Sequence, residues 1–107
     1  MEIESREKEH LVDDVIVHDI AYWLGLTDFA QEGQFVWAES HEKPDYTNWH
    51  AFEPSGGPNE DCVFKVLFPT KEGWWDYGCD SYTIGSSGME GTNLHALCEA
   101  NNKILEE

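Results

Sequence analysis

The sequence predicts a single α+β domain made of one amphipathic helix followed by about five short strands. A chain of 107 residues has room for one modest hydrophobic core, so we expect one domain over residues 1–107. Hydrophobic residues make up 40% of the chain and aromatic residues 13%, which is typical of a folded protein. Apolar residues recur at helical spacing before residue 20 and alternate in short segments after it.

The helix is predicted in the segment SREKEHLVDDVIVHDI, residues 5–20. Ser5 precedes a run of helix formers and is a suitable N-cap residue. Four apolar side chains at helical spacing are predicted to cover one side of a sheet: Leu11, Val12, Val15 and Ile16.

Five short strands are predicted after the helix, at residues 21–28, 33–39, 61–68, 73–79 and 94–100. In the first strand, Tyr22, Leu24 and Leu26 fall on one face. The third and fourth strands are separated by a short turn that contains Pro69 and Gly73, so they are expected to pair as a hairpin. The third strand also has an apolar face, formed by Cys62, Phe64, Val66 and Phe68.

A long loop, residues 38–61, separates the second and third strands. A loop of this length within a compact domain is either disordered or functional. Trp37, Trp49 and Phe52 lie in or beside the loop and are predicted to anchor it to the core. We therefore expect an ordered, functional loop.

The chain is strongly acidic, with 22 acidic residues against 6 basic ones and a formal net charge of −16. Such a charge disfavours nucleic acid and anionic membranes as partners and attracts cations. No apolar run approaches the roughly 20 residues of a membrane span, so membrane insertion is not expected. Many of these acids are also what a soluble surface alone requires.

Carboxylates are concentrated around the long loop and the predicted hairpin. Calcium prefers six to eight oxygen ligands, which Glu53, Glu60, Asp61 and Asp76 could supply together with carbonyls of residues 55–59. No EF-hand pattern is present, so a calcium site would be assembled from separate segments. Zinc is disfavoured because the cysteines form no C-x-x-C pair and the five histidines are scattered.

Three cysteines in a small domain rich in tryptophan are typical of an extracellular protein. Cys62 and Cys79 lie 17 positions apart at opposite ends of the predicted hairpin and are predicted to form a disulfide; two buried thiols are the alternative. Cys98 is then left without a partner in the chain. The cysteines and tryptophans therefore predict a secreted or extracellular protein. The first ten residues, MEIESREKEH, lack the apolar core of a secretory signal, so we expect the N-terminal portion to be incomplete.

Catalysis finds little support in the sequence. Ser40, His41 and Glu42 are adjacent and cannot converge as a catalytic triad without other segments. Glu53 and Glu60 could in principle act as a pair in acid–base chemistry, but their clustering with other acids fits metal binding better. The chain is not expected to be an enzyme.

Seven short motifs occur in an order that resembles the C-type lectin-like domain family: WLGL (23–26), FVWAES (35–40), YTNW (46–49), FEPS (52–55), EDC (60–62), WWDYGC (74–79) and LCEA (97–100). The resemblance is strongest over residues 20–100. It implies small antiparallel sheets, helices, a long calcium-binding loop, a Cys62–Cys79 bridge and core aromatic residues at Trp37, Trp49 and Trp74. Residues 5–20 resemble the second helix of the family, whereas its first strand, its first helix and the cysteine that would pair with Cys98 are missing.

The resemblance also implies a sugar site built around a calcium ion. Glu53, Glu60 and Asp76 match family positions that bind both the ion and the sugar hydroxyls, and Pro54 matches a cis-proline. Two positions depart from the family. Ser55 replaces an amide or acid, and Trp75 replaces an asparagine, so it supplies no metal oxygen and would instead stack on a sugar or pack internally. The predicted sugar-binding set is therefore Glu53, Ser55, Glu60, Trp75 and Asp76, weakened and leaning toward mannose-type sugars.

A second calcium site of the family matches Asp28, Glu32, Glu60 and Asp61, with Gly56 in place of a usual ligand. An acidic, solvated loop edge is the alternative interpretation. The expected partner is a glycan, and the main alternative function is the binding of a protein or another ligand without sugar coordination. Oligomerisation is expected through Cys98 or through an exposed edge of the last strand.

Overall fold

A computed structural model describes residues 1–56, 59–100 and 103–106, with side chains described up to residue 97. One helix is present in these residues, α1 (Arg6–Asp13), followed by six strands: β1 (Ala21–Thr27), β2 (Val36–Trp37), β3 (Cys62–Val66), β4 (Gly73–Tyr77), β5 (Leu94–Ala100) and β6 (Lys103–Glu106). The α+β class is confirmed. Within the described ranges, no helix has the length and apolar character needed to cross a bilayer.

Helix α1 begins where the sequence predicted and ends earlier. The Ser5 side chain accepts a hydrogen bond from the backbone N–H of Lys8 at 3.1 Å, which confirms the N-cap. The backbone N–H groups of Val15 and Ile16 both bond to the Val12 carbonyl, so the chain leaves the helix in a turn after Asp13. Adjacent acidic residues at 13 and 14 also interact unfavourably with the negative end of the helix dipole.

The shorter helix changes which apolar residues are buried. Val12 and Ile16 lie in the core, as predicted, but Leu11 and Val15 are exposed. The prediction that all four cover a sheet is therefore half wrong: Leu11 lies within α1 but on its exposed side, and Val15 follows the end of the helix in contact with solvent.

The strands form one sheet in the order β4–β3–β1–β5–β6, with β2 paired to the end of β1. The β1–β5 pairing is parallel and the others are antiparallel. The small antiparallel sheets implied by the family resemblance are thus joined here into one mixed sheet. The β3–β4 hairpin is confirmed, with Cys62 opposite Tyr77 and Val66 opposite Gly73.

Alternating residues of the strands enter two hydrophobic clusters. Tyr22, Leu24 and Leu26 of β1 lie in the first cluster with Val12 of the helix, as the alternation predicted. The second cluster contains a smaller set: Ala21, Phe64, Val66, Ile84, Met89 and Leu94, with Phe68 packed against it. The sheet is therefore covered by helix α1 on one side and by the segment before β5 on the other.

A buried ion-pair network joins α1 to the sheet. The ammonium group of Lys65 in β3 contacts the carboxylate of Glu9 and lies 2.6 Å from that of Asp13. The indole N–H of Trp74 donates to the same Glu9 carboxylate at 3.1 Å. Burial and the charge of Glu9 raise the pKa of Tyr46 beside this network. The sequence alone did not indicate these contacts.

Strand β6 pairs with the outer side of β5, from Leu97 opposite Glu106 to Ala100 opposite Lys103. The sequence predicted an unpaired edge on the strand at residues 94–100, and this prediction is wrong for residues 97–100, which pair with β6, while residues 94–96 pair with β1 on the other side. The remaining route to oligomers, the Cys98 side chain, lies outside the described side chains.

The long loop is anchored by aromatic residues, as predicted, but not by all of those that were named. Trp37 is buried, and Trp49 forms a backbone bridge to Trp74 and packs edge-on against its ring. Phe52, in contrast, is 97% exposed, so its predicted anchoring role is wrong. The loop is anchored to the core by its tryptophans, whereas Phe52 within the loop is in contact with solvent.

Candidate functional site

Three carboxylates converge where β1 ends and β3 begins. Asp28 follows β1 directly and Asp61 precedes β3 directly, so the pairing of these two strands brings them together. The Asp28 cluster is defined here as Asp28, Glu32 and Asp61, whose ligand atoms lie within 4.8 Å of one another. The backbone N–H of Gly33 donates to Asp28 Oδ2 at 2.8 Å and fixes its orientation.

The electrostatics of the Asp28 cluster favour a bound cation. Two buried oxygens, Asp28 Oδ1 and Asp61 Oδ1, have no hydrogen-bond partner among the described residues. Hydrogen bonding to Asp28, loss of water and negative charge nearby raise the pKa of Glu32 and of Asp61. The three carboxylates lie close together, and their mutual repulsion disfavours the state in which all three are ionised. Calcium prefers several oxygen ligands, so a calcium ion would pair with the unpaired oxygens and neutralise this charge.

A second group of polar residues lies on the long loop and β4. The Glu53 cluster is defined here as Glu53, Ser55, Glu60 and Asp76. The Ser55 N–H donates to Asp76 Oδ1 at 2.9 Å and to Glu53 Oε1 at 3.3 Å. The Ser55 hydroxyl lies 3.1 Å from Glu60 Oε1 and also 3.1 Å from Asp76 Oδ1. Ser55 thus contacts all three acids.

The backbone around Ser55 contributes a further donor to the cluster. The Gly56 N–H donates to Asp76 Oδ2 at 2.8 Å, so both oxygens of Asp76 accept hydrogen bonds from the loop. The Glu53–Pro54 peptide bond is cis, as the resemblance implied. The hydrogen bonds from Ser55 and Gly56 thus attach this part of the loop to β4 through the carboxylate of Asp76.

Electrostatic repulsion disfavours the state in which Glu53 and Asp76 are both ionised. Burial, a hydrogen bond with Asp76 and repulsion from Asp76 raise the pKa of Glu53 to about 7. Burial alone would raise the pKa of Asp76, but hydrogen bonds from Glu53, Ser55 and Gly56 outweigh it and lower the pKa of Asp76. A divalent cation would remove this conflict by neutralising both carboxylates.

Trp75 has little free ring surface. Its indole stacks on His50 with ring centroids 4.4 Å apart and faces Phe64 at 6.3 Å, and its N–H donates to the Lys71 carbonyl at 3.0 Å. A small cavity of about 50 Å³ is lined by the Glu53 cluster together with Trp75 and with apolar residues that include Phe64, Ile84 and Met89.

The hairpin that carries Asp76 is closed by the predicted disulfide. Cys62 and Cys79 are bonded with an S–S distance of 2.04 Å and a sequence separation of 17. The bridge fixes the start of β3, next to Asp61, against the segment that follows the end of β4, close to Asp76. Both acid clusters therefore depend on the same covalently closed hairpin.

The structure brings together most of the residues that the sequence singled out. Asp28, Glu32 and Asp61 converge, and so do Glu53, Ser55, Glu60 and Asp76. Glu60 was expected in both sets, but its carboxylate contacts Ser55 and lines the cavity of the Glu53 cluster. One feature of this region was not predicted from the sequence: Phe52, directly before Glu53, is exposed.

A small mixed sheet, a disulfide-closed hairpin and a long loop with two acid clusters define a ligand-binding domain of the lectin type. A family model described as the lectin C-type domain matches residues 1–84. The chain belongs to the C-type lectin domain family. Domains of this family and fold are non-enzymatic carbohydrate-binding modules, so the prediction that the chain is not an enzyme is confirmed.

Proteins that are similar to this chain in sequence come from both invertebrates and vertebrates. The chain is 43% identical over 85 residues to the C-type lectin mosGCTL-7 of Aedes aegypti, a match that covers 79% of this chain and 52% of that protein. It is 34% identical over 85 residues to a perlucin-like protein of Mytilus galloprovincialis, covering 77% and 54%. The chain thus spans about half the length of these curated relatives.

Solved structures show the same fold. The carbohydrate-recognition domain of the human scavenger receptor C-type lectin superposes with a TM-score of 0.67 at 30% identity, covering 76% of this chain and 64% of that one. The cow CD23 carbohydrate-recognition domain, solved in the presence of a GlcNAc2Man3 oligosaccharide, gives 0.63 at 32% identity, covering 76% and 60%.

Proposed function

We propose that the protein binds carbohydrate through calcium held at the Glu53 cluster. The observation that carries the proposal is the convergence of Glu53, Glu60 and Asp76, from the long loop and from β4, on one small cavity. Membership of the C-type lectin family and the similarity to carbohydrate-recognition domains support the same function.

The donor set of the Glu53 cluster fits calcium. The three carboxylates offer six oxygens in all, and calcium accepts carboxylate and carbonyl oxygens in flexible geometry. A bound calcium ion would supply positive charge to the site and would bind hydroxyl groups of a sugar. The carboxylates of Glu53, Glu60 and Asp76 would hold the ion and accept hydrogen bonds from those hydroxyls, while the hydrogen bonds of Ser55 position Glu60 and Asp76.

The Asp28 cluster is proposed as a second calcium site with a structural role. Its unpaired buried oxygens on Asp28 and Asp61 would be satisfied by the ion, which would also tie the end of β1 to the start of β3. Glu32 completes the cluster from its exposed side. Occupancy here would stabilise the loop on which the sugar site depends.

We propose a mannose-type sugar as the ligand, since the Glu53–Pro54 pair matches the family members that prefer such sugars. Ser55 has a shorter side chain than the amide usual at this position, and its hydroxyl already contacts Glu60 and Asp76. The site is therefore expected to bind more weakly than one with the full set of ligands. A secreted or ectodomain location is proposed from the Cys62–Cys79 disulfide.

Retention on mannose-agarose tests this function. The oxidised protein is applied in millimolar calcium and eluted with EDTA. Glu53→Gln should lower retention about tenfold or more, because a charge-assisted contact contributes roughly 1.5–3 kcal/mol. Glu39→Gln removes the same charge from an exposed residue outside both clusters and should bind like the parent. Retention that persists in EDTA, or none at all, would falsify calcium-dependent mannose binding.

One observation favours a second candidate, the binding of a protein or another ligand without sugar coordination. Hydrogen bonds from Ser55 and Gly56 already reach both oxygens of Asp76, which reduces its capacity to act as a metal ligand. Under this alternative, calorimetry should detect calcium uptake at the Asp28 cluster alone. Loss of one of two binding events in Glu53→Gln would instead support the sugar-site ion.

A further inference from the structure

Phe52 combines two unfavourable features. Its side chain is 97% exposed, the largest exposed fraction among the exposed large hydrophobic residues of the described chain. Its backbone has a φ of 68°, in the left-handed region that residues with a side chain rarely adopt. Neither feature helps the fold: a phenyl ring in water buries no apolar area, and glycine would adopt this φ without strain.

The conformation of Phe52 is imposed by the turn that contains it. The Glu53 N–H donates to the His50 carbonyl at 2.9 Å, which makes Phe52 the third residue of a four-residue turn. A positive φ at this position is usual for glycine. Both flanks of the turn are fixed to β4. On the first flank, the His50 N–H bonds to the Trp74 carbonyl at 3.0 Å, and the His50 ring stacks on Trp75.

The other flank is fixed through the Glu53 cluster. The Ser55 N–H donates to the Asp76 carboxylate at 2.9 Å, three residues after Phe52. The aromatic ring is therefore presented at the tip of a turn that is anchored on both sides. Its backbone is held in one place even though its side chain contacts solvent, which is the arrangement of a preorganised contact surface.

The Phe52 ring lies next to the proposed ligand site in the sequence. Phe52 directly precedes Glu53, so their Cα atoms are about 3.8 Å apart. Because Phe52 does not line the cavity of the Glu53 cluster, a sugar held in that cavity would lie beside the turn, and the next sugar of an oligosaccharide would extend over the neighbouring surface. The C–H groups of a pyranose ring form an apolar face that packs well against an aromatic ring, because both surfaces leave water.

We propose that Phe52 is a specificity-determining residue that packs against the second sugar of an oligosaccharide whose first sugar is bound at the Glu53 cluster. This inference rests on the proposed function of that cluster. Phe52 thus selects for ligand length: it adds affinity for oligosaccharides and none for a monosaccharide.

The test compares two ligands, methyl α-mannoside and a GlcNAc2Man3 oligosaccharide, by titration calorimetry in calcium. Phe52→Gly should bind the monosaccharide like the parent and lose about three- to tenfold in affinity for the oligosaccharide. Phe52→Tyr should keep both affinities, since it preserves the ring. Tyr82→Ser removes a ring that is 86% exposed and lies outside the turn from His50 to Glu53, so it should change neither affinity.

Thermal unfolding provides a readout that does not depend on sugar. Phe52→Gly should melt at the same temperature as the parent or higher, because the substitution relieves the positive φ and exposes no core. A lower melting temperature would show that the ring is structural and would overturn the inference. Equal losses for both ligands, or no loss for either, would overturn it as well.

Failure of the proposed function gives a different result. If the parent binds neither ligand in calcium, the sugar site itself is wrong and the role of Phe52 is rejected with it. If the parent binds both ligands and EDTA abolishes that binding, the site stands, and the comparison of Phe52→Gly with the parent decides the role of Phe52 alone.

Discussion

Asp28 and Asp61 are joined through the backbone, since the N–H of Asp28 donates to the carbonyl oxygen of Asp61 at 3.1 Å. The bond places two carboxylates side by side where β1 and β3 meet, each with one buried oxygen that lacks a partner among the described residues. The fold therefore brings the acids together through main-chain pairing. The electrostatic cost of this arrangement is what a cation would relieve.

We predict that calcium raises the thermal stability of the oxidised protein. An ion that binds only the folded state stabilises it by about 2.7 kcal/mol at a hundredfold excess over its dissociation constant. Calorimetry in calcium and in EDTA measures the shift. Asp28→Asn should reduce the shift, whereas Asp45→Asn, at an exposed residue outside both clusters, should leave it intact. The same melting midpoint in both buffers would exclude a bound ion.

The calcium-free protein is predicted to lose stability as the pH rises from about 4.5 to about 7. The pKa of Glu53 is raised from 4.5 to about 7, so in this window the folded state retains a proton that the unfolded chain has released. Stability falls with pH wherever the folded state binds more protons. The raised pKa values of Glu32 and Asp61 act in the same direction.

Melting temperatures measured in EDTA between about pH 4.5 and about pH 8 test this pH dependence. Glu53→Gln carries a neutral side chain throughout, so its stability should fall less steeply than that of the parent. Saturating calcium should also flatten the parent profile, because the ion replaces the proton. A stability that rises through this window, in parent and variant alike, would contradict the assignment of the pKa shift to Glu53.

The Cys62–Cys79 bridge is predicted to contribute on the order of 3 kcal/mol to stability, the amount expected for a closed loop of this length. Urea unfolding of the parent, with and without a reductant, measures the contribution. A Cys62→Ala, Cys79→Ala double variant should unfold at the midpoint of the reduced parent and be insensitive to reductant. If reduction leaves the parent midpoint unchanged, the bridge is not a source of stability.

Local features were predictable from the sequence because neighbouring residues determine them. The Ser5 N-cap, the alternation of Tyr22, Leu24 and Leu26, and the hairpin all follow from short patterns. Motif order also placed the acids of both clusters, since it encodes a known fold. Only the assignment of Glu60 to the Asp28 cluster lacks a corresponding contact among the described residues.

Long-range features could not be predicted in the same way. The pairing of β6 with β5 depends on two strands that no sequence pattern marks as partners, and the burial of Lys65 depends on where α1 packs. Phe52 was misjudged because an aromatic residue close to tryptophans suggests a core position. Its exposure is set by the turn, which is fixed through His50 and Ser55, and not by its own hydrophobicity.

Strand β6 is predicted to prevent association of the protein through the outer side of β5, which it covers at residues 97–100. Truncation after Ala100 removes β6 and leaves the outer side of β5 without a partner, a template for pairing between chains. Sedimentation velocity should show larger species for the truncated chain than for the parent. Ile104→Pro should have the same effect without shortening the chain, and Ile104→Val should not. Identical sedimentation of all four proteins would show that β6 does not protect this edge.

Loss of the buried lysine is predicted to be the most damaging single change in charge. Lys65 is 1% exposed and is the cation that neutralises Glu9 and Asp13, so Lys65→Met leaves two carboxylates facing each other beneath α1. Removing one partner of a buried ion pair costs about 3–5 kcal/mol. Lys43→Met, at an exposed position, should cost little. Urea unfolding measures both.

The loss of stability in Lys65→Met should be partly reversed by also removing the negative charges of Glu9 and Asp13, which the substitution leaves without a cation. In a triple variant that adds Glu9→Gln and Asp13→Asn, no uncompensated carboxylate remains beneath the helix. The side-chain amide introduced by Glu9→Gln can still accept the Trp74 N–H bond that the Glu9 carboxylate accepts in the parent. Partial recovery of the urea midpoint would locate the cost in stranded charge. If the triple variant is no more stable than Lys65→Met, stranded charge is not the source of the loss, and the ion-pair explanation fails.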